Sequence, residues 1–324
     1  MSNWQIVLLH TRPNTLLKRI FEAAFPGQVT TISVPLLGRR KYWHRTELLD
    51  YFRRYVHDPS IWDSRVLTLY GSGEFHQYTY ALSRLACERR KLHNFDWTYF
   101  HFDNHRDDWG IRDRRGWAPN LMCANFVDSL VYDNRGIPFF VGPVVYANKD
   151  SRGYKIRGTE IPIYHNQFPK SLQQSQDWKG TGGIWGWTDP RKLPTHEDLA
   201  STPTDAYATF DLDLLDTTEI VTNFDQSEVK LRDLCRQVDR VREHKRLFSA
   251  DILGLPDNCQ HALSALTVLI LARKLMGLGV ERFLRLHDQV KFRQRGWIRS
   301  EPELLKDKNR RSPLSEGELL EELA

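Results

Sequence analysis

The decamer F-H-F-D-N-H-R-D-D-W, residues 100–109, sets Asp103, His105 and Asp107 in strict alternation directly after an apolar run. Alternation by two is the period of a strand, in which every second side chain faces the same way. The pattern therefore predicts one face carrying two carboxylates and an imidazole. Carboxylates that close repel one another unless something positive lies between them: Arg106, another basic side chain, or a metal. The alternation returns in F-D-L-D-L-L-D, residues 210–216, with Asp211 and Asp213 ending a second predicted strand and Asp216 beyond it. One such pair often does no more than cap a turn; two pairs on separate strands, one carrying a histidine, point to shared chemistry. A third element, Y-G-S-G-E-F-H (70–76), leads from a strand through a glycine turn to His76 at a helix start. Two imidazoles and four carboxylates at strand ends suit two divalent cations that share carboxylates. Hard oxygen donors with some nitrogen favour manganese, with iron and zinc as alternatives. Such a pair generates hydroxide at neutral pH and polarises an electrophile. Spacing alone reaches a dinuclear hydrolase and leaves the substrate open.

These residues need elements to hold them. Short apolar runs at 5–10, 29–34, 64–70, 97–103, 137–142, 206–213 and 247–253 read as strands. Helical stretches follow at 75–91, 227–245 and, strongly apolar, about 261–277. Strands alternating with helices predict an α/β fold of three layers, αβα, with a mainly parallel central sheet. In such sheets ligands gather at the carboxyl ends of the strands, where the three motifs fall. One domain is predicted over residues 1–296, with an insertion or lid at about 146–200 that includes W-K-G-T-G-G-I-W-G-W-T-D-P (178–190). The charged tail 297–324 ends in a short helix with a capping-box pattern at Ser315 and Glu318.

Composition bounds the function class. The chain has 324 residues, 40% hydrophobic and 27% charged, enough for a buried core. Its first residues lack the pattern of a secretory leader, and its longest apolar stretch, 262–272, is too short to span a bilayer. Four cysteines, Cys87, Cys123, Cys235 and Cys259, form no C-x-x-C pair, so neither a disulfide framework nor structural zinc is expected, and a reducing cytoplasm is the default. The net charge of +5 is modest, and the basic clusters read as solvated ends rather than a nucleic-acid stripe. A basic surface still favours an acidic partner segment, and a homo-oligomer remains open.

The three motifs together resemble the arginase and agmatinase (ureohydrolase) superfamily: a glycine turn ending in Asp-His, then D-A-H-x-D, then F-D-x-D-x-x-D. Here they stand in the same order as G-S-G-E-F-H (71–76), D-N-H-R-D (103–107) and F-D-L-D-L-L-D (210–216). The first is looser, with one extra residue between Glu74 and His76. The resemblance implies that Asp103 and Asp211 bridge two Mn2+ ions, that His76 and Asp107 complete one site, and that His105 and Asp213 complete the other. It implies hydrolysis of a guanidinium to urea and an amine, with Asp107 also the candidate to carry the proton the amine needs.

Two departures shape the substrate reading. Ureohydrolases usually carry a histidine in a G-N-x-H-G loop; the matching P-N-L-M-C-A-N-F-V (119–127) has none, and His165 in the insertion is the candidate replacement. They also place a glutamate before a proline after the last strand, where A-D-I-L-G-L-P (250–256) has Gly254. Guanidinium recognition then falls to Glu74, Asp108 or Asp251, with Trp109 as a site wall. These departures resemble the peptide arginases of ribosomal-peptide biosynthesis, which convert arginines within a precursor peptide to ornithine. A peptide lacks the free amino and carboxylate groups that small-molecule clamps grip, and ten tryptophans suit a groove for an extended chain. The alternatives are a ureohydrolase for a small guanidino compound, a deacetylase-like hydrolase, disfavoured because no His-His pair is present, and an arginase-like pseudo-enzyme that binds a peptide.

Overall fold

The computed structural model describes residues 4–10, 15–34, 40–93, 96–105, 107, 120–127, 129–130, 202–222, 224, 226–255, 261–295 and 316–323, together with short strands and one helical turn between 112 and 200. Eight strands form one sheet: β1 (Trp4–His10), β2 (Val29–Ser33), β3 (Arg65–Tyr70), β4 (Trp97–Phe102), β5 (Ile137–Val141), β6 (Trp185–Trp187), β7 (Asp205–Asp211) and β8 (Arg246–Leu253). Their order is β6-β5-β4-β7-β8-β3-β1-β2, and every neighbouring pair is parallel. All eight carboxyl ends therefore lie along one edge. The predicted three-layer α/β architecture is the observed one. Within the predicted insertion, Trp185–Trp187 is the edge strand of the main sheet and pairs with Phe139–Val141, so part of that segment belongs to the scaffold.

Side-chain parity divides the core between the two faces, as a pleated sheet requires. Leu67 and Leu69 of β3, Phe100 and Phe102 of β4, and Ala208 and Phe210 of β7 pack with helices α1 (Thr15–Ala24), α4 (Leu231–His244) and α5 (Ala262–Leu275). Val66 and Tyr70 of β3, Tyr99 of β4 and Tyr207 of β7 pack with α2 (Arg45–Tyr55) and α3 (Tyr78–Arg90). Being covered on both faces, α5 is buried along nearly its whole length, which explains its apolar sequence. The tail helix α6 (Glu316–Leu323) docks with Leu319 fully buried in the first of these clusters.

Candidate metal centre

The three motifs follow β3, β4 and β7, with β8 lying between β7 and β3 in the sheet. Two of these strands stop sooner than the alternation suggested: β4 at Phe102 and β7 at Asp211. Beyond those points the period of two is kept by a side chain. Asp103 accepts from the backbone N–H of His105 at 2.6 Å, and Asp211 from that of Asp213 at 3.2 Å. In this Asx turn a carboxylate takes the N–H two residues on, curling the chain so that both members of each pair face inward. Asp213 then opens to the backbone of Asn104, 109 positions away, which donates to it at 3.3 Å. Asp216 fixes the loop after its strand: it accepts from the Thr218 N–H at 2.8 Å and pairs with Lys230 at 2.9 Å.

The ligand atoms converge on two points that share Asp103. His76 Nδ1 lies 2.9 Å from Asp107 Oδ2, 3.1 Å from Asp103 Oδ2 and 3.6 Å from Asp211 Oδ2. His105 Nδ1 lies 2.9 Å from Asp213 Oδ2 and 3.5 Å from Asp103 Oδ1. One carboxylate thus turns one oxygen to each imidazole. Donor atoms about 2.1 Å from a common octahedral cation sit about 3 Å from one another, which is the spacing seen. His76 Nδ1, Asp103 Oδ2 and Asp213 Oδ2 are buried and within ion-pair reach of these neighbours, yet none makes an aligned hydrogen bond. Atoms aimed at a common point instead of at one another are expected where a cation belongs, since buried polar atoms otherwise find partners.

Two glycines hold Asp211 in place. A Cβ on Gly73, in the turn after β3, would come within 2.7 Å of Asp211 Oδ2, and one on Gly254, after β8, within 2.6 Å of Oδ1. Gly254 also has φ +100°, a conformation that side chains rarely adopt. The position at which the sequence comparison missed a glutamate is therefore one where backbone touches a candidate ligand and no side chain fits. Asp107 sits at φ +53°, in the left-handed region that Asp tolerates better than most residues. Its carbonyl accepts from Val127 N–H at 3.0 Å, and the ring of Phe126 covers His76 at a centroid distance of 4.6 Å.

Burial opposes charge throughout the cluster, and the neighbours decide each outcome. Burial pushes the Asp103 carboxyl up, but the imidazoles of His101, His105 and His76 hold it well below the ordinary range. Asp107 and Asp213 are raised, by burial and then by the charge of Asp103, Asp213 to about 7. Asp211 is raised well above the ordinary range, by burial and then by Asp213. Burial lowers His76 and His105, but their carboxylate partners more than reverse it, carrying His105 to about 12. Protons and cations compete for the same oxygens here.

The predicted substrate residues fare differently. Asp251 is a correction: it is fully buried in β8 and accepts from Tyr207 at 2.6 Å, from Thr79 at 3.0 Å and from Thr209. Fully buried and already bonded to three hydroxyls, it does not face a space in which a guanidinium could bind. Its place is behind His76, whose Nε2 lies 3.0 Å from Thr209 Oγ1, so the carboxylate orients an imidazole through a hydroxyl. Glu74 is half-exposed and paired with Lys41 at 2.8 Å. Asp108, Trp109 and His165 lie outside the described residues. Sequence reasoning missed His101, whose Nε2 is 3.1 Å from Asp103 Oδ2 and which groups with His76 and Asp103 as a possible ligand set. Carrying the alternation one step back from Asp103 would have found it.

The chain has the arginase–agmatinase fold. A hypothetical agmatinase from Burkholderia thailandensis superposes with a TM-score of 0.50, at 16% identity over 91% of this chain and 88% of that one. An arginase from Bacillus cereus gives 0.50 at 11% identity over 86% and 100%, and the Entamoeba histolytica arginase in complex with L-ornithine gives 0.50 at 13% over 86% and 100%. Comparison with family profiles and with curated proteins finds no match. Among the described residues no helix is long and apolar enough to cross a membrane.

Proposed function

We propose that this protein is a cytoplasmic, metal-dependent hydrolase of guanidino groups, acting on arginine within a peptide to leave ornithine and release urea. The observation that carries the reading is the convergence of His76, Asp103, His105, Asp107, Asp211 and Asp213 on two points sharing Asp103, on a fold also found in arginases and agmatinases. His76, Asp103, Asp107 and Asp211 would hold one cation, and His105, Asp103, Asp211 and Asp213 the other. Manganese is the favoured ion, with iron as the main competitor. When bound, such a pair supplies a hydroxide nucleophile at neutral pH and polarises the carbon under attack.

The protein's own residues supply position and proton. Hydrolysis adds the oxygen of water to the guanidino carbon and breaks its bond to the side-chain nitrogen, which takes up a proton and leaves as the amine. Asp107 is suited to carry that proton: at 8% exposed it is the most accessible of the four carboxylates, against 1% for Asp103 and Asp213 and 5% for Asp211. His165 is the second candidate. Glu74, Asp108 and Trp109 are the candidate substrate contacts, Glu74 after exchanging Lys41 for the guanidinium. A peptide substrate is favoured by Gly254, whose contact with Asp211 leaves no room for a guanidinium-gripping carboxylate at that position.

The test is urea release by manganese-loaded protein from free arginine and from an arginine-containing peptide in parallel. The proposal expects urea from the peptide and a product lighter by the CH2N2 that the conversion removes. Urea from free arginine alone would restore a small-molecule ureohydrolase; two bound metals with neither product would leave a peptide-binding pseudo-enzyme.

A further inference from the structure

His101 is buried (1% exposed) in β4, two residues before Asp103, with its ring stacked on that of His76 at 5.1 Å. Its Nε2 has two oxygen neighbours: Asp103 Oδ2 at 3.1 Å and the backbone carbonyl of His105 at 3.0 Å. A carbonyl oxygen is an acceptor only, and so is an ionised carboxylate. A nitrogen facing both must carry a hydrogen and donate it, and a nitrogen that carries a hydrogen has no lone pair for a metal. The other ring nitrogen, Nδ1, lies 3.1 Å from the hydroxyl of Tyr99, which can donate to it and so keep the hydrogen on Nε2.

We propose that His101 is a positioning residue of the metal centre, one whose Nε2–H braces the Asp103–His105 turn through the His105 carbonyl and whose tautomer is held by Tyr99. The inference rests on the metal-centre reading above. Its content is geometric. The His105 N–H grips Asp103 at Oδ1, and His101 donates to the carbonyl of that same His105 while its Nε2 lies 3.1 Å from Oδ2, so the residue that holds the carboxylate is itself held. With its plane set, one oxygen faces His76 and the other His105, as sharing between two cations requires. The turn braced in this way also presents the second imidazole, His105. One side chain thereby aligns a ligand of both sites without occupying a coordination position. Partners of this kind are typically worth 10–100-fold in metal affinity.

The experiment is metal titration of the full-length, metal-free protein by calorimetry, with manganese and cobalt as probes, for wild type, His101→Phe, His101→Gln and Tyr99→Phe. His101→Phe is expected to weaken binding about 10–100-fold. His101→Gln, whose amide nitrogen can stand where Nε2 stood, is expected to recover most of that loss. Tyr99→Phe keeps the ring, so it tests the relay even if His101→Phe fails to fold, and its expected effect is a smaller weakening of binding. The spectroscopic readout is the 15N signal of His101 before and after loading with a diamagnetic ion such as zinc, with hydrogen expected on Nε2 in both states. Loss of that hydrogen on loading would make His101 a ligand and overturn the proposal, as would His101→Phe binding like wild type. Those outcomes leave the metal centre intact, whereas a wild type that binds no cation overturns both readings.

Discussion

Gly254→Ala is a direct test of how Asp211 is held, because two other glycines separate its two effects. Gly27 has φ +73° and nothing within 4 Å of an added Cβ, so Gly27→Ala introduces backbone strain alone, worth about 1–2 kcal/mol. Gly73 has no positive φ but would meet Asp211 Oδ2 at 2.7 Å, so Gly73→Ala introduces overpacking alone, about 1–3 kcal/mol. Gly254 combines φ +100° with contacts to Asp211 Oδ1 at 2.6 Å and Leu212 N at 2.9 Å. Strain of about 1–3 kcal/mol and overpacking of similar size then give a loss of about 2–6 kcal/mol. Thermal unfolding reads the stability, at roughly 2–4 °C per kcal/mol or somewhat less for a chain of this size, and calorimetric manganese titration reads the site. Gly27→Ala should lose a few degrees and bind metal as wild type does. Gly73→Ala and Gly254→Ala should both weaken metal binding by roughly tenfold or more, in line with misaligning a ligand. A Gly254→Ala protein that matches Gly27→Ala in both readouts would refute the cradle and the position assigned to Asp211.

Further outcomes follow from the same geometry. Asp103→Asn and Asp211→Asn should each lose both cations by elemental analysis while keeping the fold by circular dichroism, and Asp216→Asn, whose carboxylate serves Thr218 and Lys230, should keep them. In the metal-free protein, stability should fall as pH rises from 5 to 8. Asp213 is held at about 7 when folded but near 3.9 unfolded, so the folded state alone keeps that proton between the two values. His105, raised to about 12, acts in the same sense: its stabilisation is full below the unfolded value and drains away above it. Saturating manganese should flatten or reverse that slope in thermal melts; a metal-free protein more stable at pH 8 than at pH 5 would contradict it. Thr209→Val removes the hydroxyl between His76 and Asp251 and should cost about 1–3 kcal/mol in denaturant unfolding, with weaker metal binding alongside.

Most of the scaffold could be read locally. The apolar runs became strands within a residue or two, from 5–10 becoming Trp4–His10 to 247–253 becoming Arg246–Leu253, because β-branched and aromatic runs bounded by polar turns carry their own signal. The six candidate ligands meet because alternation survives in the Asx turns even where the strand has ended. Strand order was not legible, since parallel neighbours such as β4 and β7 are set by pairing between distant segments. Asp251 misled for the same reason: Tyr207 and Thr209, from β7, and Thr79, from α3, engage it, and no local pattern announces them. Gly254 looked like a missing residue because only the fold shows what stands against its Cα.

The strand order also bears on how the protein comes into being. β3 and β4, which deliver His76 and the Asp103–Asp107 turn, are not neighbours; β7 and β8 lie between them. The first 141 residues therefore make two separate strand groups with a gap where the middle of the sheet will be. During synthesis that gap stays open until Arg246–Leu253 has left the ribosome, and with it two edges of unpaired backbone that chaperones must shield. No partial product of translation or proteolysis that ends before β7 can hold Asp103 opposite Asp211. The six candidate ligands can come together only once the chain as far as Leu253 has been made.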